Sequence, residues 1–270
     1  MTTRATREMM KVLEQAALAA GEAILTVYAE GAEVMLKADC SPVTKADQQA
    51  EIIILDHLAR AFPDIPVIAE ESVAAGRVPE IGTGPFFLVD PLDGTKEFIA
   101  RNGDFTVNIA LIEGGFPVAG VVYAPVCKLA YSASKSGVEK LTIAADFTIA
   151  DRQPIAVRPC SIEPVALISR SHNSPETLAY LEREKIAERR VVGSSLKFGL
   201  IAEGGADIYP RFSRTMEWDT AAGDAVLRAA GGQVTDAQGA PLVYGKPGFE
   251  NPSFIAFGGC PSVQKPEGHA

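Results

Sequence analysis

The sequence predicts an α/β protein, with an α+β first half built on a mainly antiparallel sheet and an α/β second half. Three patterns lead there. Two long stretches with apolar residues at helical spacing come first. Apolar segments joined by glycine- and proline-containing turns follow, and from about residue 143 short apolar strands alternate with capped helical stretches. That change of style divides the chain into residues 1–142 and 143–270.

Met9, Val12, Leu13, Ala16, Ala17, Ala20, Ile24 and Val27 fall on one face of a helix over about residues 4–29. A second helix, over about 43–60, takes Thr44 as its cap with Asp47 three residues on, and buries Ile53, Ile54, Leu58 and Phe62. Residues 66–69 form a short strand that delivers Glu70 and Glu71 at its end, and the glycine- and proline-rich stretch 76–84 is a mobile connection. Phe86-Phe87-Leu88-Val89, bounded by Pro85, is a buried strand. Residues 106–112 and 118–123 flank Glu113-Gly114-Gly115-Phe116-Pro117 as a hairpin, which 129–133 continues. Strands are expected at 165–169, 190–192, 207–209 and 233–235. Ser194 or Ser195 opens a helix over 196–203, and Asp219 opens one over 220–230, each closed by a pair of glycines. The tail from about Val263 reads as disordered.

With 47% hydrophobic and 22% charged residues the chain can bury a substantial core. Its formal charge of -9 argues against a general binder of nucleic-acid polymers or anionic membranes, which needs a basic surface. Cys40, Cys127, Cys160 and Cys260 form no C-x-x-C pair, so they read as reduced, mostly buried thiols of a cytosolic protein rather than a zinc site or disulfide scaffold. No run approaches ~18 consecutive apolar residues, so no transmembrane segment is expected. Glu14 and Glu22 interrupt the apolar stretch that follows Arg4, Arg7 and Lys11, against a secretory signal.

Chemistry concentrates in Asp90-Pro91-Leu92-Asp93-Gly94-Thr95. Two carboxylates and an intervening carbonyl at the end of a buried strand suit a hard divalent cation, and the glycine admits a substrate close to the backbone. Taken singly, Asp219 reads as a helix cap, Glu70-Glu71 as a solvated strand end and Asp47 as a capping residue. Together with Asp90 and Asp93 they form an all-oxygen set that repels itself without a counter-cation, and that favours Mg²⁺ or Mn²⁺ over zinc.

Ala69-Glu70-Glu71-Ser72, Asp90-Pro91-Leu92-Asp93-Gly94-Thr95 and Glu217-Trp218-Asp219-Thr220-Ala221-Ala222-Gly223-Asp224 resemble the metal-dependent, lithium-sensitive inositol monophosphatase superfamily across nearly the whole chain. Thr95-Lys96-Glu97-Phe98, Gly193-Ser194-Ser195-Leu196-Lys197-Phe198 and Tyr209-Pro210-Arg211-Phe212 are most similar to its bisphosphate-nucleotidase branch. The resemblance implies a layered αβαβα sugar-phosphatase-like fold. It implies a metal-binding first domain, and a second domain that completes the active site and nucleotide pocket. Glu70, Asp90 and the Leu92 carbonyl would hold one metal ion, and Asp90, Asp93 and Asp219 a second. Glu70 would reach a third ion through water, with Glu71 the less certain of the pair. Asp47 and Thr95 would orient the attacking water, and the Gly94 and Thr95 amides would hold phosphate oxygens. Lys197, one turn into a helix opened by serines, is the candidate second anion seat, its alternative being a surface lysine. Ser194 and His172 are candidates for the adenine pocket. Arg211 supports the second phosphate or pairs with a surface acid.

The expected activity is Mg²⁺-dependent hydrolysis of the 3'-phosphate of adenosine 3',5'-bisphosphate to AMP, with 3'-phosphoadenylyl sulfate a further candidate substrate. An inositol or sugar monophosphatase on the same scaffold is the alternative, and a non-catalytic nucleotide or metal sensor the second. Monomer and homodimer both stay open, as does peripheral attachment to the inner membrane face, for which the acidic composition gives no support.

Overall fold

The computed structural model describes residues 3–31, 34–36, 42–170 and 174–259. The chain opens with α1 (Thr3–Glu30), then an antiparallel ribbon of β1 (Val34–Leu36) and β2 (Pro42–Thr44), then α2 (Lys45–Ala61). Helix α2 starts later than expected because 42–44 is extended against β1, and Thr44 caps it with the predicted Asp47 capping box.

A seven-stranded sheet follows, with β3 (Val67–Ala69), β4 (Phe86–Asp93), β5 (Thr106–Glu113), β6 (Phe116–Ala124), β7 (Leu129–Ser134), β8 (Gly137–Ile143) and β9 (Ile149–Pro154) in spatial order. Its pairs are antiparallel except β3–β4. The short helices α3 (Glu70–Ala74) and α4 (Thr95–Ile99) leave the ends of β3 and β4. The sheet continues past residue 142, taking in β9. The second half supplies β10 (Ala166–Ile168), α5 (Pro175–Arg183), β11 (Arg189–Val191), α6 (Leu196–Ala202), β12 (Ile208–Arg211), α7 (Ala221–Ala229), β13 (Gln233–Asp236) and β14 (Phe254–Phe257). Its sheet is mixed, in the order β11-β10-β12-β14-β13.

Alternation along the central strands buries both faces of the large sheet. Phe87, Val89, Ile109 and Leu111 pack with Leu13, Ala17, Ala20, Ile54 and Leu58 of α1 and α2. Leu88, Ala110 and Val122, from the other face, share a core with Ala222, Val226 and Leu227 of α7, Phe198 of α6, and Tyr209 and Phe254 of the second sheet. That sheet's outer face packs Ile168, Ile208 and Ile255 against Tyr180 and Leu181 of α5. The layers therefore run αβαβα, as the resemblance implied.

One expectation is corrected. Cys160 is exposed and disulfide-bonded, and Cys127 is an exposed free thiol, so neither is a buried reduced one; Cys40 and Cys260 lie outside the described residues. Spacing along the chain says nothing of proximity in space, and here the parallel bridge Pro159–Gly259 brings the end of the last strand beside Cys160. Helix α1 is also long and apolar enough to cross a membrane by length and composition, with a mean hydropathy of 1.2 over its most apolar stretch. No consecutive run reveals this because its apolar residues are spread at helical spacing, and Leu13, Ala16, Ala17, Ala20 and Ile24 are spent on the core.

Candidate active site

Strand β4 runs through Asp90-Pro91-Leu92-Asp93, and its register with β5 shifts between Asp90, which faces Asn108, and Asp93, which faces Thr106. Three steps on β4 thus oppose two on β5, which is one extra residue and a bulge. In a regular strand residues three apart point to opposite faces. The bulge returns both carboxylates to one side, and proline, which has no amide proton for the ladder, sits where pairing is broken. Gly94 then turns the chain into α4 at φ 97. A side chain there would be strained by that φ and would press on the Asp104 carbonyl at 3.2 Å.

Asp47, in the first turn of α2, is buried. Its Oδ2 accepts the Thr44 amide at 2.8 Å and the Thr44 hydroxyl at 2.7 Å, while Oδ1 accepts the Thr95 hydroxyl at 3.1 Å. The capping reading and the catalytic one therefore use different oxygens of one carboxylate. Burial raises the Asp47 pKa against these hydrogen bonds. The Thr95 hydroxyl also lies 3.4 Å from the Leu92 carbonyl, and the Leu92 amide donates to Asp90 at 3.0 Å.

Glu70 begins α3, and Asp219 closes a 3₁₀ turn, Glu217–Asp219, ahead of α7. Asp219 does not cap that helix. Thr220 holds the cap position, and the Asp219 carboxylate accepts the Met216 amide at 2.8 Å. Burial drives the Asp90 pKa well above the carboxylate range, with Glu70, Asp93 and Asp219 adding repulsion. Asp219 is raised well above it by burial and then by Asp93 and Glu70. Asp93 is raised by burial, while Lys197 and hydrogen bonds from Ser195 pull it down. Glu70 is hydrogen-bonded to Asp90, one carboxyl to another.

Burial and the charges of their acidic neighbours hold Asp90 and Asp219 back from ionisation, which suits a cationic guest, and the four acids offer only oxygen donors, as magnesium requires. They stand within electrostatic reach of each other without closing on a point. Among the described residues no three His, Cys, Asp or Glu side chains converge at metal-ligand spacing.

Glu70, Asp93, Gly94, Thr95, Ser194, Lys197, Arg211 and Asp219 line one cavity of about 410 Å³. Lys197 is not a surface lysine. It is buried, its ammonium donates to the Ser194 carbonyl at 2.6 Å and the Val192 carbonyl at 3.1 Å, and it lies 4.7 Å from the Tyr209 ring centroid. Arg211 is buried as well, donating to the Ser169 hydroxyl at 2.7 Å and the Arg214 carbonyl at 3.3 Å. It lowers the Asp219 pKa rather than pairing with a surface acid. Ser194 sits at φ 50, in the left-handed region. His172 lies outside the described residues.

Sequence reasoning missed several supports. Buried Glu51 accepts the Glu71 amide and the Ser72 hydroxyl, each at 2.7 Å, and so fixes the turn that carries Glu70. Its signal was a second acid one helical turn after Asp47. Glu217 is fully buried and accepts the Gly245 and Lys246 amides and the Lys246 ammonium, anchoring the turn of Asp219. Asn108, a polar residue inside an apolar strand, donates to the Ser195 hydroxyl at 2.9 Å.

The comparisons with known proteins agree with this architecture. The family model described as "Inositol monophosphatase family" matches residues 5–262. A protein of Escherichia coli O157:H7 named 3'(2'),5'-bisphosphate nucleotidase CysQ is 47% identical over 251 residues, which cover 91% of this chain and 98% of that protein. Its namesake in Buchnera aphidicola is 41% identical over 93% of this chain and 94% of its own length. The crystal structure of CysQ from Bacteroides thetaiotaomicron superposes with a TM-score of 0.79 at 40% identity, covering 94% of this chain and 98% of that one. With a match over almost its full length, the same layers and the acids gathered where β4 ends, this chain belongs to the inositol monophosphatase family.

Proposed function

We propose that this chain is a magnesium-dependent 3'(2'),5'-bisphosphate nucleotidase that hydrolyses the 3'-phosphate of adenosine 3',5'-bisphosphate to give AMP and phosphate. The observation that carries the reading is a cavity lined by Glu70, Asp93 and Asp219, whose charges act on the buried Asp90, in a chain 47% identical to a protein of that name. Glu70, Asp90, Asp93, Asp219 and the Leu92 carbonyl are the groups that would hold the metal. When bound, it supplies positive charge against the phosphate and acidifies water. Thr95, hydrogen-bonded to Asp47, orients the attacking water, and the Asp47 carboxylate accepts its proton through that hydroxyl. The phosphate ester bond breaks as the new P–O bond forms, and the leaving 3'-oxygen takes a proton. Gly94 and Thr95 receive the phosphate, while Ser194, Lys197 and Arg211 line the nucleotide side of the cavity.

The test is turnover of adenosine 3',5'-bisphosphate, inositol 1-phosphate and fructose 1,6-bisphosphate by one preparation, with Mg²⁺ and with chelator. The expected result is chelator-sensitive turnover that is fastest on the nucleotide. Preference for either sugar phosphate moves the assignment to a monophosphatase, and turnover that survives chelation removes the metal.

A further inference from the structure

Ser195 occupies the cap position of α6, yet its hydroxyl does not cap the helix and its backbone is already helical, at φ -71 and ψ -4. A serine at that place usually stabilises its own helix. Here both of its donors turn to Asp93. The Ser195 amide donates to Asp93 Oδ2 at 2.6 Å and the Ser195 hydroxyl lies 2.7 Å from the same oxygen. That hydroxyl is also 2.5 Å from the Asp219 carbonyl, so its single proton has two acceptors. Asn108 on β5 donates to it at 2.9 Å and reaches Asp93 Oδ2 at 3.5 Å. Ser195 and Asn108 are each 1% exposed, so water does not supply these contacts.

The local backbone is arranged for this contact. Ser194 is held at φ 50, a conformation unfavourable for a residue with a Cβ. The Lys197 ammonium ties the Val192 and Ser194 carbonyls across the turn. Gly193 is pressed against Asp104, where a Cβ would lie 2.5 Å from the Asp104 carbonyl. A strained, tightly packed turn that presents an amide and a hydroxyl to one carboxylate oxygen has a use beyond starting a seven-residue helix.

We propose that Ser195 is a positioning residue for the metal centre, joining Asp93 of the first sheet to the Asp219 turn of the second half and thereby setting the affinity for the divalent cation. The inference rests on the reading above that such a cation sits among the four acids. All of these contacts to the Asp93 carboxylate fall on Oδ2, which fixes the carboxylate's rotation and leaves Oδ1 to a cation. Carboxylates held in this way lose about 10–100-fold in metal affinity when the outer partner is removed.

The experiment is calorimetric titration of the chelator-treated, full-length protein with Mg²⁺ in the absence of substrate. Trp218, the one tryptophan of the chain and the neighbour of Asp219, gives a second, fluorescence readout. Ser195→Ala is expected to weaken Mg²⁺ about tenfold, with the KM for adenosine 3',5'-bisphosphate unchanged once Mg²⁺ is saturating. Wild-type affinity in a folded S195A protein overturns the inference, even if that variant melts earlier. Should S195A fail to fold by circular dichroism, Asn108→Ala, which removes the donor that orients the hydroxyl, must weaken Mg²⁺ in the same direction, and unchanged affinity there overturns it equally. A wild type that binds Mg²⁺ but ignores the nucleotide sinks only the substrate reading, and the S195A affinity still decides. A wild type that binds no Mg²⁺ sinks both.

Discussion

Asp47 divides its carboxylate between the start of α2, where Oδ2 takes the Thr44 amide and hydroxyl, and the cavity, where Oδ1 takes the Thr95 hydroxyl. The division predicts a separation of effects. Thr95→Ala removes the water-orienting hydroxyl and leaves every candidate metal ligand in place. Its kcat is expected to fall by about 10²–10⁴, with calorimetric Mg²⁺ affinity unchanged; a matching loss of affinity would assign Thr95 to the metal instead. Asp90→Asn and Asp93→Asn should lose affinity and turnover together, and Mg²⁺-dependent turnover retained in both would remove them from the metal site. Asp90, Asp93 and Thr95 were legible in the sequence because they are contiguous, and Asp47 because it follows its cap by three residues. Ser195 was not, since its partners Asn108 and Asp93 lie 87 and 102 residues away and nothing local marks the contact.

Elements set the next scale, and strand β6 meets helix α7 where neither has a side chain to spare. A Cβ on Gly120 would stand 2.8 Å from the Ala222 carbonyl and 2.9 Å from the Ala225 Cβ. Because the nearer atom belongs to a helix backbone, the helix itself has to move. Gly120→Ala is therefore expected to cost about 1–3 kcal/mol, read as a lowered urea midpoint. Since α7 follows directly on Asp219, Mg²⁺ affinity should fall with it. Glu217→Ala acts on the same turn from the other side. It strands two backbone amides, while the partly exposed Lys246 ammonium keeps the Val243 carbonyl and Asn251 Oδ1, and a loss of about 1–3 kcal/mol is expected; a loss below about 0.5 kcal/mol would show that water replaces the carboxylate. The long helices and central strands announced themselves by period. Strand β9, reading Ile-Ala-Asp-Arg-Gln-Pro and mostly exposed, gave no such signal, and α3 and α4 at five residues each are too short to show one.

At the scale of the whole molecule, the layer order came from resemblance rather than from periodicity, because short strands carry no information about which sheet they join. What periodicity could not show, charge does: the large sheet contributes Asp90 and Asp93, the second half contributes Asp219, and folding forces them together. In the metal-free protein Asp90 and Asp219 have folded pKa values above their unfolded ones. The folded state therefore holds more protons than the unfolded state, and metal-free stability declines as pH rises from the unfolded carboxylate range through the folded values. A cation needs those carboxylates deprotonated, so protons compete with it and its stabilising effect must grow over the same window. At a Mg²⁺ concentration of about 100 Kd the added stability is about 2.7 kcal/mol. The expected outcome is a Mg²⁺-induced rise in unfolding free energy that is small at a pH just above the unfolded carboxylate range and approaches that value at a pH above the folded pKa values of these acids. Asp224 gives an internal control. Burial raises its pKa to about 6 despite Arg228 and the Tyr244 hydroxyl, so it too makes stability fall as pH rises from the unfolded carboxylate range to about 6. Its partners are protein groups, and its contribution should be the same with Mg²⁺ as with chelator. Urea unfolding at both pH values, with and without the metal, separates the two. Equal stabilisation by Mg²⁺ at both would mean that the ion does not compete with the protons of these acids, and would move the cation away from them.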